Sequence, residues 1–220
     1  MPKTKPPQKP GVTHTRVRRG NEEDAQAMRE QLLRVAHDLY QHGGLKAVTM
    51  REVAARCGVA IMTPYRYYAN KSELLSGLWQ SVVGELLARQ QAAVALAADP
   101  RGRLYANIDA FLQFWDDHPE HYRLVYMPEV QSESVMRAAV GRAPAFTQIW
   151  EYSRELTHAF ALSIGGDAQK IPVAVQMRHY LVLGFVHANL VMQRRREDVA
   201  AMRPLVVEQA IEMTARYLLA

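Results

Sequence analysis

Between residues 49 and 71 the sequence concentrates hydroxyl, cationic and aromatic side chains in a pattern suited to binding nucleic acid. Hydroxyl groups and cations bond phosphate oxygens, and tyrosine can reach the same oxygens through its phenol. A single glycine, Gly58, divides this stretch into two short segments, as in a helix-turn-helix. The polar side chains of the second segment are Thr63, Tyr65, Arg66, Tyr67 and Lys71.

The first segment has the features of a short, core-facing helix. Thr49 and Glu52 have the spacing of a capping box, in which each side chain bonds the other residue's backbone N–H. Gly58 can end the helix in a left-handed conformation. The apolar stripe between these signals consists of Val53, Ala54 and Cys57. We therefore expect Cys57 to be a packing residue rather than a nucleophile.

The positive charge of the chain is confined to the same region. The net charge is +5, and residues 1–75 hold 13 Lys and Arg against 7 Asp and Glu. Residues 76–220 hold 14 against 15. Residues 1–20, with four prolines and six basic residues, are too polar to form a core, so we expect a flexible basic tail. Such a tail can lie along phosphates or simply keep the protein soluble, and the sequence favours neither.

Composition and periodicity predict an all-α protein. Helix-forming residues dominate, and no alternating apolar run reaches the length of a strand. The single cysteine excludes an internal disulfide and fits a reducing cytoplasm. No signal-peptide core is present at the N-terminus, and no apolar run reaches the roughly 20 residues of a membrane span. We therefore expect a cytoplasmic protein with no membrane role.

Two longer helices are expected on either side of the helix-turn-helix. The first should begin after Asn21 and end at Gly43-Gly44. The second should begin at Asn70, whose spacing from Glu73 again fits a capping box, and should continue to about Ala97 as a strut.

From Asn21 to Leu87 the sequence resembles the N-terminal domain of TetR/AcrR-type transcriptional regulators. The resemblance rests on the run from Thr49 to Gly58 and on Thr-x-Tyr-x-Tyr-Tyr-x-Asn-Lys-x-x-Leu, which begins at Thr63. It implies an all-helical homodimer with a small-molecule effector and a double-stranded DNA operator. The implied division is a tail over 1–20, a three-helix DNA-binding domain over 21–70, and an effector-binding and dimerisation domain over 71–220.

The resemblance also implies roles for individual residues. Thr49 and Arg51 match positions that contact phosphates at the start of the second helix. Ile61, Met62 and Thr63 match the base-reading end of the recognition helix, and two of them are apolar, which favours contact with thymine methyl groups. The implied DNA-binding set is Thr49, Arg51, Ile61, Met62, Thr63, Tyr65, Arg66, Tyr67 and Lys71.

Pro64 limits where the recognition helix can start. Its missing N–H is harmless only in a first helical turn, so we expect the helix to begin near Ile61–Thr63. Tyr68 stands where phenylalanine is commoner in the family, and we expect it to pack against the first helix.

The remaining 120 residues show helical periodicity, with breaks that prolines and glycines mark. Helices are expected over 101–118, 119–127, 144–164 and 172–196, and from Pro204 onward. Residues 129–143 are expected to form a loop, which can gate a pocket but is more simply a mobile connection. The last two helices are unusually apolar, which favours a four-helix dimer seam over burial within one chain.

Aromatic side chains collect in this part of the chain, and a minority of them are expected to line an effector cavity. Candidate polar partners are His187, Asn189 and Arg178. The segment from Phe114 to Met127 resembles a His-Pro-Glu-x-Tyr-Arg segment of one subgroup of TetR-family ligand domains. A mainly apolar effector is expected, and its candidate contacts are Phe111, Trp115, Tyr122, Tyr126, Phe146, Trp150, Met177, Tyr180 and His187.

Catalytic alternatives have weaker support. His118 and His121, beside Asp116-Asp117, have a spacing that a metal can use, but helix punctuation before Pro119 explains Asp117 and His118 without a metal. No nucleophile elbow, P-loop or dinucleotide fingerprint occurs in the sequence. We expect no enzyme activity, no metal and no cofactor. The sequence predicts a ligand-responsive, sequence-specific repressor, and a sequence-tolerant architectural DNA-binding protein is the main rival.

Overall fold

Helices make up all of the regular structure over residues 15–127 and 144–220, the parts of the chain that the computed structural model describes. The predicted all-α fold is therefore confirmed. The predicted tail up to residue 14 and the loop over 129–143 lie outside these ranges, and side chains are described from residue 22 onward. The helices are α1 (Thr15–Ala47), α2 (Met50–Arg56), α3 (Lys71–Ala95), α4 (Pro100–Asp117), α5 (Pro119–Tyr126), α6 (Pro144–Ile164), α7 (Ile171–Val191) and α8 (Arg196–Leu219), with 3-10 turns at Pro64–Arg66 and Ala168–Lys170.

The chain divides into two compact units, Met1–Lys71 and Ser72–Ala220. In the first unit α1 begins at Thr15, so the prediction that it starts after Asn21 is wrong. Neither Gly20 nor Asn21 removes a backbone donor, so the helix can continue through them. The predicted glycine break is present, because Gly44 leaves the helical conformation with φ of 64°.

One half of the predicted capping box of α2 is observed. The Thr49 hydroxyl accepts the Glu52 backbone N–H at 3.1 Å. Val53 and Ala54 are buried behind it, and Gly58 follows the helix with φ of 67°. The first half of the helix-turn-helix is therefore fixed by local signals and one apolar stripe.

In the second unit α4 packs against α6, α7 and α8, and α7 packs against α8. The indole of Trp79 on α3 donates to the carbonyl of Leu124 on α5 at 3.2 Å. No described helix combines the length and the apolar character needed to cross a membrane.

Asp99 begins α4 by accepting the Gly102 backbone N–H at 3.0 Å. Two predicted helix boundaries of this unit are wrong. Helix α7 ends at Val191 rather than at the predicted Arg196. Helix α8 begins at Arg196, and Pro204 lies inside it. Proline fits helical φ and is exposed here, so the loss of one backbone donor did not end the helix.

Arg203 of α8 links its helix to two carboxylates of α4. Its Nε atom lies 2.9 Å from Asp109 Oδ1, and its Nη1 atom lies 4.0 Å from Asp116 Oδ2. Burial raises the pKa of Asp116 to about 6, and the guanidinium of Arg203 only partly offsets this effect. The ionised form of Asp116 is therefore unfavourable in the folded protein.

We expect Asp116→Asn to stabilise the protein at pH 7.5 by about 1 kcal/mol, after allowance for partial solvent exposure. The folded-state pKa lies above the unfolded one, so the wild type binds more protons when folded and loses stability as pH rises from about 4 to 6. Thermal unfolding from pH 4 to 7.5 should show the two proteins converging at the acidic end. Asp109→Asn is the matched control: it removes the closer partner of Arg203 and should lower the melting temperature at pH 7.5.

Candidate nucleic-acid interface and ligand cavity

Residues 61–67, here called the recognition segment, form turns that end in the 3-10 turn Pro64–Arg66 rather than a regular α-helix. The N–H of Thr63 donates to the Ala60 carbonyl at 2.8 Å, and the N–H of Arg66 donates to the Thr63 carbonyl at 3.0 Å. Helical turns therefore begin where Pro64 requires, but the predicted recognition helix is too long. Pro64 has no N–H to extend an α-helical ladder backward, which favours the tighter three-residue spacing.

Large apolar side chains of the recognition segment are exposed to solvent. The exposed fraction is 53% for Ile61, 64% for Met62 and 44% for Tyr65. Thr49, Arg51 and Arg66 are exposed as well, and Thr63 and Tyr67 are half-buried. A surface that combines exposed apolar groups, hydroxyls and cations is suited to bases and phosphates together. Tyr68 is buried, with 8% of its surface exposed, as the sequence predicts.

Lys71 has a structural role that the sequence did not reveal. Its ammonium donates to the Leu45 carbonyl at 2.6 Å, just beyond the break at Gly44. The carbonyls at the end of a helix have no intrahelical partners. The expected end of α1 at Gly43-Gly44 could therefore have indicated that a nearby cation would bond one of them. The ammonium has three donors, so this bond leaves others for the phosphate contact implied by the resemblance.

An ion pair in the same unit links α2 to α1. Arg56 donates to the Asp38 carboxylate at 2.6 Å and lies 3.6 Å from Glu52. This cation is therefore neutralised within the protein. Cys57 is half-buried, and burial raises the pKa of its thiol, which fits a packing residue.

The second unit contains a narrow cavity that opens to solvent: about 50 Å³ of it can hold the centre of a water molecule, and the empty space is about 600 Å³ when the open mouth is counted. Five of the expected ligand contacts line it: Phe111, Trp115, Tyr126, Phe146 and Trp150. The other lining residues are Val83, Leu86, Gln90, Asn107, Ile108, Ile149, Ser153, Val175, Arg178, His179 and Val182. The sequence therefore located the aromatic part of the lining and, of its polar part, only Arg178.

Four expected ligand contacts do not line this cavity. Tyr122 is buried elsewhere in the core, and its hydroxyl lies 3.2 Å from Nδ1 of His187. Met177 and Tyr180 are exposed, because the cavity faces the other side of α7. Asn189, an expected polar partner, lines a different cleft. Helix α7 is apolar on several faces, so periodicity alone did not show which face turns inward.

Electrostatics distinguish one side of the cavity. Arg178 is 3% exposed, and its Nη2 atom donates to the hydroxyls of Ser153 at 2.8 Å and Thr157 at 2.9 Å. Burial lowers the pKa of its guanidinium to about 10, so the group is still charged at pH 7. Burial and the charge of Arg178 lower the pKa of His179 to about 4, so that imidazole is neutral. Its ring lies 4.7 Å from the ring of Trp150.

The histidines considered as metal ligands lie at the α4–α5 junction. His118, Glu120 and His121 place ligand atoms within 4.8 Å of one another. Asp117, which the sequence grouped with them, is instead paired with Arg89 at 2.7 Å. His118 ends α4 and precedes Pro119, the punctuation role that the sequence assigns to it.

An exposed recognition segment after a capped helix defines the first unit as a helix-turn-helix DNA-binding domain. Residues 32–78 match the family model of bacterial regulatory proteins of the tetR family. The activator FasR of Mycolicibacterium smegmatis is 32% identical over 123 residues, 56% of each chain. The repressor KstR2 of Mycobacterium tuberculosis is 28% identical over 103 residues, which cover 47% of this chain and 51% of that protein. The chain thus spans about half the length of these curated relatives.

Solved structures extend the similarity of fold to the second unit. The fatty acid degradation regulator FadR of Bacillus halodurans has a TM-score of 0.67 at 19% identity, over 83% of this chain and 94% of that one. FadR of Bacillus subtilis, in complex with stearoyl-CoA, has a TM-score of 0.64 at 17% identity, over 84% and 98%. Residues 32–78 thus match the tetR family of bacterial regulatory proteins, and the solved structures show the same fold over most of the chain.

We expect Lys71→Ala to lower the free energy of unfolding by about 1 to 2 kcal/mol, because the Leu45 carbonyl loses a charged donor. Thermal or urea unfolding measures this loss without DNA. Arg51→Ala removes an exposed cation and is the control, with a change within about 0.5 kcal/mol. Equal stabilities of the two variants would show that the Lys71 bond contributes nothing.

Proposed function

We propose that this protein is a ligand-responsive, sequence-specific DNA-binding repressor, which a small and mainly apolar effector releases from a palindromic operator. The observation that carries the proposal is the exposed recognition segment, where Ile61 and Met62 face solvent beside hydroxyls and cations. The activator FasR and the repressor KstR2 support a role in transcriptional regulation, and KstR2 alone supports repression.

Sequence would be read in the major groove by the start of the recognition segment. Ile61 and Met62 can contact thymine methyl groups, and the Thr63 hydroxyl can bond a base edge. Thr49 and Arg51 at the start of α2, together with the tyrosines and Lys71, would hold the phosphates. Phosphate contacts fix position and the salt dependence of binding, whereas the base contacts select the sequence.

Homodimerisation would use the last two helices. Helices α7 and α8 have large apolar side chains on their outer faces, and a second copy of the chain would cover them. The exposed members are Val173, Met177, Tyr180, Leu181, Val191, Met202 and Leu205. Two-fold symmetry would then place two recognition segments in successive major grooves, about 34–36 Å apart.

Effector control would act through α3. This helix contributes Val83, Leu86 and Gln90 to the cavity lining and begins at Lys71, the last residue of the first unit. A ligand that fits the cavity better in one position of α3 shifts the protein toward that position by its differential affinity. The mainly apolar lining, with two tryptophans, favours an apolar effector.

We expect the protein to bind a palindromic operator, found by protection of neighbouring genomic DNA, at least about 10³-fold more tightly than unrelated DNA at the same salt concentration. Thr63→Ala should change the preferred sequence, because it removes a proposed base contact. Arg51→Ala should weaken binding to every sequence and reduce the slope of log affinity against log salt by about one unit.

Fluorescence-anisotropy titrations over a range of salt concentrations measure both effects. Equal affinities for operator DNA and unrelated DNA would favour the alternative of a sequence-tolerant architectural DNA-binding protein. A uniform loss for Thr63→Ala across all sequences would remove that residue from base reading. Glu23→Ala, at an exposed position of α1 outside the proposed DNA contacts, is a control for general effects on the domain.

A further inference from the structure

We propose that the cavity of the second unit binds an apolar carboxylic acid, with the carboxylate paired to Arg178 and the hydrocarbon body among the aromatic side chains. The inference rests on the proposed function in one respect: it takes this cavity as the effector site. It adds the chemical class of the effector and the residues that select it.

The guanidinium of Arg178 is incompletely paired. Its hydrogen-bond partners within the described residues are the hydroxyls of Ser153 and Thr157, both bound by Nη2. The buried Nη1 atom has no partner there. Hydroxyls are neutral, so they satisfy donors but leave the positive charge uncompensated. A buried charge is strongly unfavourable without a counter-charge, and the cavity is where one can enter.

Three further unpaired polar atoms belong to residues that line the same cavity. Within the described residues, Trp115 Nε1, Asn107 Nδ2 and Gln90 Oε1 are buried without hydrogen-bond partners. The Gln90 amide is oriented by its own Nε2, which donates to the Asn107 backbone carbonyl at 3.1 Å. Native proteins leave few buried polar atoms unpaired, so four around one cavity indicate a polar group that is supplied from outside.

The identity of these atoms indicates what that group is. Arg178 Nη1, Asn107 Nδ2 and Trp115 Nε1 are donors. A carboxylate has two oxygens with about four acceptor positions and can take bonds from several donors at once. The Gln90 oxygen is an acceptor and can receive an N–H or O–H of the ligand or of a bridging water.

Charge balance favours a monoanion. His179, the neighbour of Arg178 in the lining, is held neutral by burial and by that same arginine. The described lining therefore offers one cation, which one carboxylate neutralises. A phosphate dianion would leave a buried negative charge in excess. An acyl thioester or an amide offers a carbonyl oxygen but leaves the guanidinium without a counter-charge.

The rest of the lining selects the body of the ligand. Phe111, Phe146, Trp150 and neighbouring aliphatic side chains provide apolar contact surface. Burial of an alkyl or aryl group there is favourable in proportion to the apolar area removed from water. A short polar acid such as acetate lacks this contribution, so the site should require both ends of the molecule.

Matched probes test the proposal on the full-length wild-type protein. Isothermal titration measures decanoate against decanamide, 4-phenylbutyrate against its amide, and decanoyl-CoA. Intrinsic fluorescence gives a second signal, because two of the three tryptophans, Trp115 and Trp150, line the cavity. We expect each acid to bind at least about tenfold more tightly than its amide.

Variants assign the selectivity to the guanidinium. Arg178→Met should reduce the acid-to-amide ratio to near one, and Arg178→Lys, which keeps the charge, should recover part of it. Arg89→Met is the control, because Arg89 pairs with Asp117 and does not line the cavity, so the ratio should be unchanged. Circular dichroism melting confirms that each variant is folded.

The outcomes separate this inference from the proposed function. Equal binding of acid and amide, no binding of either acid at about 1 mM, or preference for the thioester overturns the carboxylate site. If an amide or thioester nevertheless releases the protein from operator DNA, the proposed regulatory function stands without the carboxylate site. If the acids bind with the expected selectivity but leave DNA affinity unchanged, the carboxylate site stands and the effector role fails.

Discussion

The second unit is organised by a conflict within α4, which must close a core and leave a cavity open. Leu104 and Leu112 are fully buried where α4 meets its neighbours. Ile108, Phe111 and Trp115 of the same helix border empty space. A cavity lowers stability because its lining loses dispersion contacts. An unliganded bundle of this kind is therefore held by its tightly packed positions, and a bound ligand would add to its stability by mass action.

The first unit solves a different problem, because its exposed face contains apolar side chains. Ile61 and Met62 are exposed to solvent, whereas Pro64, the first residue of the 3-10 turn that follows them, is buried. Proline fixes the backbone at that point, which lowers the entropy lost when the segment becomes ordered. The same residue that keeps an α-helix from starting earlier thus helps to present the side chains before it in one conformation.

Much of the fold could be predicted, because it depends on signals between residues close together in the sequence. Features that depend on contacts between distant helices could not be predicted. Thr49, Gly44 and Pro119 act within a few residues of their own position, so their effects could be read directly. The inward face of α7 depends on which helices surround it. Because α7 is apolar on several faces, its sequence did not show which face turns inward. The cavity lining was predicted for its aromatic residues because they are rare and clustered. Asn107 and Gln90 were missed, although a lone amide within an apolar helical stripe was the available signal.

The unpaired polar atoms also suggest why one ligand would move the bundle. They belong to three helices: Gln90 to α3, Asn107 and Trp115 to α4, and Arg178 to α7. A polar head group that bonds several of them favours a particular spacing of those helices, because charge-assisted hydrogen bonds weaken steeply with distance and angle. Only α3 continues from the first unit, through Lys71. The free energy released when the Arg178 charge is neutralised would thus act on the helix that can change the position of the DNA-binding domain.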